Sequence, residues 1–137
     1  MGHGTRKAPR CAALAFAAAA ALAVAGCGGD DEEDPSEQAR AAAESFVSAI
    51  ESGDFDAACA DLTEGLASQL GGDACPEQIG AIAGAGGEVT IEVTGVRVSG
   101  PKAVADTEVE RSGAGAQESS LELVESEGDW KVSRLGD

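Results

Sequence analysis

The feature that most constrains this chain is a change of hydrophobic period across Gly84–Gly87. Before that point, Ala39, Ala43, Phe46, Val47 and Ile50 recur at the spacing of one helix face. After it, Val89, Ile91 and Val93 alternate with Thr90, Glu92 and Thr94, the two-residue period of a half-buried strand. Helical segments followed by a run of strands predict an α+β domain, with N-terminal helices packed on one face of an antiparallel sheet.

Local signals mark the ends of the elements. Asp34 is placed to cap a first helix, with Pro35 at the first helical position and Glu37 three residues after the cap. Gly53 terminates it, and Asp54 caps a second helix whose inner face is Phe55, Ala58, Cys59 and Leu62. A looser stretch with Leu66 and Leu70 leads to Gly71-Gly72, and a third helix is expected from Pro76 to Ile82. Val96 and Val98 fall one residue out of phase with Val93, so a bulge is expected at Gly95. Gly100-Pro101 makes a turn into a second strand, Lys102 to Arg111. Gly113 to Ala116 connects it to a third, Glu118 to Glu125, and Glu127-Gly128-Asp129 turns into a closing strand, Trp130 to Leu135. Four strands in this order form a meander.

The first thirty residues carry a different message. Arg6, Lys7 and Arg10 precede an unbroken apolar run at 11–25, too short and too rich in alanine to span a bilayer well. The run ends in Leu22-Ala23-Val24-Ala25-Gly26-Cys27, which resembles the lipobox of bacterial lipoproteins. That resemblance implies acylation of the Cys27 thiol, cleavage before it, and retention on the extracytoplasmic face of the cell membrane. Ordinary secretion is one alternative, because Ala23-Val24-Ala25 also satisfies the small-x-small rule for cleavage after Ala25, and an uncleaved anchor is the other. The expected organisation is a signal peptide at 1–26, an anchor and acidic tether at 27–35, and one domain at 36–137. The tether, Gly28-Gly29 followed by five acidic residues, could reach roughly 25–30 Å when extended.

Charge and absences narrow the chemistry. The six cations and twenty-five carboxylates from Cys27 onward amount to a formal charge of −19. A field of that sign repels phosphates, so no nucleic acid partner is expected. The only histidine, His3, lies in the leader, and the chain has no tyrosine. The remainder therefore lacks the commonest general base and the commonest metal ligand. Asp54-Phe55-Asp56 begins like a calcium loop, but Cys59 stands where glycine is needed and Gly65 where glutamate is needed. No nucleophile elbow, zinc or phosphate-loop motif is present, and no cofactor is expected.

The run from Ala42 to Cys59, with its Gly53-Asp54 turn and Ala57-Ala58-Cys59, resembles the helical opening of NTF2-like domains. It is similar in particular to small lipoproteins of actinobacterial type. The ending Gly128-Asp129-Trp130-Lys131-Val132 is similar to the last strand of that superfamily. The resemblance implies a curved four-stranded antiparallel sheet around a helix, with a conical cavity, and it implies no function. NTF2-like isomerases and dehydratases pair Asp with Tyr or His, and neither partner is available.

With Cys11 discarded in the leader and Cys27 acylated, Cys59 and Cys75 remain, and in an exported domain they are expected to form a disulfide. If the sheet curls around the first helix, the pocket lining is expected from Phe46, Ile50, Val89, Ile91, Val93, Leu121, Leu123 and Trp130. The competing reading is that these residues simply fill a core. Three functions stay open: a non-catalytic envelope module binding a small apolar ligand or a protein partner, an accessory subunit of an envelope assembly, and an enzyme using carboxylates alone.

Overall fold

The computed structural model describes residues 33–84 and 87–136. The leader, the proposed anchor Cys27 and the acidic run up to Glu32 lie outside the described residues, as do Ala85 and Gly86 of the connecting loop.

Helix α1 spans Pro35–Ser52, and its N-cap is Asp34. The Ser36 hydroxyl donates to the Asp34 carboxylate at 2.7 Å and the Ser36 backbone N–H donates to it at 2.9 Å. These two bonds, the hydroxyl's first, hold the Asp34 carboxyl below its ordinary range. Gly53 closes the helix in the left-handed conformation (φ 76°), and its N–H reaches back to Ala49 and Ile50. Helix α2, Phe55–Ala60, begins at once, capped by the Asp54 side chain on Ala57 N–H at 3.1 Å.

The segment expected to be loose is ordered. Thr63 caps a short helix α3, Glu64–Gln69, by accepting from Leu66 N–H at 3.2 Å. A 3₁₀ turn at Gly72–Ala74 leads into α4, Cys75–Gly84, longer at both ends than the span expected. Leu62 is also a correction. It lies beyond α2 and makes a parallel bridge to Val132, so it joins the helical layer to the last strand.

The sheet is antiparallel in the order β1 (Val89–Ser99), β2 (Lys102–Arg111), β3 (Gly115–Ser126) and β4 (Asp129–Leu135). The register of β1 on β2 shifts between Val93 and Gly95, which brings Val96 and Val98 back to the face of Val93. A second shift, between Glu122 and Leu123 on β3, was not foreseen. Strand β3 starts three residues earlier than expected, at Gly115.

One face of this sheet receives the helices. The core joins Ala39, Ala43, Phe46, Val47 and Ile50 of α1 to Ala103, Ala105, Leu121, Leu123, Trp130 and Val132 of the sheet. Burying an aliphatic or aromatic side chain of this size is worth about 1.5–3 kcal/mol. Cys59 and Cys75 are bonded, tying α2 to the first residue of α4 with Cα atoms 6.2 Å apart. Close to that link, the Phe55 ring lies over Gly80, where a Cβ would stand 3.0 Å from Cε2. The described residues thus form a helical layer on one sheet face, with the other face turned outward.

Candidate functional site

Between the C-terminal part of α1, α4 and the inner sheet face lies a mostly apolar cavity of about 130 Å³. Helix α1 contributes Phe46, Val47 and Ile50, and α4 contributes Ile79, Ile82 and Ala83. The sheet side is Val89 and Ile91 of β1, Thr107, Val109 and Arg111 of β2, and Ser119 and Leu121 of β3. Leu135 and Gly136 close one side. Gly136 is fixed there by donating its N–H to Ser120 C=O at 2.7 Å.

The pleat explains why these residues converge. Successive side chains on a strand point to opposite faces. With Ala105 packed in the core, Thr107, Val109 and Arg111 follow on the same face of β2. Thr107 pairs with Ser119 and Val109 pairs with Ile91, so the wall is continuous across three strands.

Of the residues expected to line a pocket, Phe46, Ile50, Val89, Ile91 and Leu121 meet around this cavity. Val93, Leu123 and Trp130 do not line it. Leu123 is 1% exposed and Trp130 7% exposed, both packed within the core, and Val93 packs against that core from its edge. Sequence reasoning missed the polar part of the lining: Thr107 (4% exposed), Ser119 and Arg111.

Arg111 sits where β2 reaches the C-terminal end of α4. Its Nη1 donates to the Ala83 carbonyl at 3.4 Å. Among the described residues the ion pairs are Arg40–Glu44, Arg97–Asp106 and Arg134–Glu122, so Arg111 makes none. Ile82, beside it, is the one large apolar side chain exposed among the described residues, at 50%.

Carboxylates take the opposite side of the sheet. Glu92, Glu108 and Glu118 stand in one register row across β1, β2 and β3, all exposed. Like charges directly opposite one another destabilise a sheet slightly and stay solvated. Asp106 on the same face pairs with Arg97 at 2.8 Å, and Glu122 pairs with Arg134 at 3.7 Å. No Asp or Glu lines the apolar cavity, and among the described residues no cluster of three or more His, Cys, Asp or Glu could hold a metal ion.

Residues 47–135 match the family model described as low molecular weight antigen MTB12, C-terminal domain. A candidate NTF2-like transpeptidase of Campylobacter jejuni superposes with a TM-score of 0.55 at 17% identity, covering 69% of this chain and 96% of its own. A candidate NTF2-like dehydratase of Streptomyces avermitilis gives 0.51 at 16% identity, over 71% of this chain and 89% of its own. An NTF2-like protein of unknown function from Cytophaga hutchinsonii gives 0.50 at 14% identity, over 72% and 89%. At such identities the likeness establishes the NTF2-like α+β fold and nothing about chemistry. No curated protein matches the chain.

Proposed function

The chain belongs to the family of the low molecular weight antigen MTB12 C-terminal domain, and on that premise we propose that it is a non-catalytic binding module of the cell envelope. In this reading the cavity between α1, α4 and the inner sheet face takes a small apolar ligand. The lipobox-like run Leu22–Cys27 supports attachment to the outer face of the membrane through Cys27.

The observation that carries the reading is the cavity itself: a space of about 130 Å³ with mostly apolar walls and no carboxylate. Such walls desolvate an apolar body. General acid–base catalysis needs a titrating group within hydrogen-bond reach of the reacting atom. A guanidinium offers donors and no acceptor, and hydroxyls with no adjacent base are weak nucleophiles. Binding without turnover is the chemistry such a lining supports.

The test is a ligand-dependent thermal shift with 4-methylpentan-1-ol, a six-carbon apolar probe. A ligand present at a hundred times its Kd stabilises the folded state by about 2.7 kcal/mol. A rise in Tm that grows with the logarithm of probe concentration above Kd is the expected result. No rise at concentrations the protein tolerates would count against the proposal.

A further inference from the structure

Resting on the reading of the cavity as a ligand site, we infer that its ligand is a monocarboxylate with a short branched or ring-shaped apolar body, its carboxylate held by Arg111. The size follows from the space. An apolar cavity of about 150 Å³ takes a benzene molecule, so about 130 Å³ accommodates a body of five or six carbons.

The head group follows from charge. This chain carries twenty-five carboxylates against nine basic residues, yet Arg111 has no carboxylate partner among the described residues. Its single bond, 3.4 Å from Nη1 to Ala83 C=O, uses one of five guanidinium donors. The remaining fork stands at the rim of an apolar wall built by Val89, Val109 and Ile82. A planar carboxylate satisfies such a fork with two parallel bonds.

The geometry also fixes the direction of the ligand. Thr107 and Arg111 are four residues apart on one face of β2, about 13 Å at strand rise. Arg111 therefore marks the charged end, Val109 the apolar middle and Thr107 with Ser119 the inner end. The acidic surroundings narrow the class further. Each added negative charge meets the same repulsive field and finds no second cation in the lining, so dicarboxylates and phosphate esters are disfavoured.

The test compares 4-methylpentanoate with 4-methylpentan-1-ol on the full-length chain, by calorimetry at about pH 7 and low ionic strength. A charge-assisted pair makes the acid bind about tenfold to a hundredfold more tightly. Arg111→Gln, which removes the guanidinium charge, is expected to abolish that preference, so that acid and alcohol bind alike. Equal affinity of wild type for acid and alcohol overturns the inference and leaves the apolar site standing. Binding of neither probe overturns both. If Arg111→Gln does not fold, the wild-type chain decides the matter alone. Its preference for the acid must fade as pH falls below the carboxylate range, where the ligand becomes neutral, and a preference unchanged at low pH overturns the inference.

Discussion

Filling the cavity is the perturbation that separates a ligand site from a packing gap. Ser119 of β3 lines it, paired with Thr107 of β2. Ser119→Leu replaces a hydroxyl with three carbons pointing at Phe46, Ile91 and Leu121. At about 24 cal/mol per Å³, an empty space of about 130 Å³ corresponds to roughly 3 kcal/mol of unrealised packing, the ceiling for any filling variant. Three buried carbons at about 0.8 kcal/mol each approach 2.4 kcal/mol. Fixing the leucine rotamer costs about 0.5–1 kcal/mol. The net gain is therefore between about 1 and 2 kcal/mol, a rise in Tm of roughly 4–8 °C per kcal/mol for a domain of this size. Urea unfolding at neutral pH measures it, and the same sample should no longer respond to 4-methylpentan-1-ol. A loss of 1–3 kcal/mol, the usual cost of overpacking, would show that the space is not open in solution and would refute the reasoning.

Reducing the Cys59–Cys75 bond, which closes a loop of 16 residues, should cost about 3 kcal/mol in urea unfolding. Glu127 in the β3–β4 turn has φ 55° and precedes Gly128 at φ 87°, a pair of left-handed residues that favours Asn-Gly. Glu127→Asn should therefore raise stability by about 0.5–1 kcal/mol by the same assay. Because the Asp34 carboxyl lies below its ordinary range in the folded state, its contribution is present above the unfolded value and lost as pH falls through the folded one. The protection of the Ser36 amide, its exchange rate compared with the intrinsic rate at each pH, should fall on acidification, and Asp34→Asn should flatten that dependence. Cys27→Ser should abolish lipid attachment and leave the folded domain unchanged. The intact mass of membrane-extracted wild-type protein checks the premise, and an unmodified product beginning at Gly26 would favour ordinary secretion.

Much of the fold was legible because its signals are local. Asp34-Pro35, Gly53-Asp54 and the alternation from Val89 to Val93 each act over a few residues, and the structure starts or ends elements there. The features that were missed depend on distant partners. Helix α3 is only six residues with Gly65 inside it, and an isolated helix of that length is unstable. It is held by the far strand, through Thr63 N–H on Val132 C=O at 2.9 Å and Val132 N–H on Asp61 C=O at 2.9 Å. Leu62 has a helical-looking spacing from Phe55 and Ala58, and only the bridge to Val132 removes it from that face.

The same distinction applies to the site. Phe46, Ile50, Val89 and Ile91 were legible as inward residues from their period alone. Leu123 and Trp130 obey the same parity but lie in the packed part of the core, and no periodicity separates a filled position from an open one. Arg111 was hidden by its polarity, although Val109 inward on β2 requires Thr107 and Arg111 inward as well. Parity was the usable signal, and residue type obscured it.

The central claim is a small apolar site with no catalytic groups, and xenon tests it most directly. A crystal of the protein pressurised with xenon should show one strong site walled by Phe46, Ile91, Val109 and Leu121, with the side chains in place. No xenon in that space, or instead a polar cleft with converging carboxylates around an ordered metal ion or water, would contradict the account.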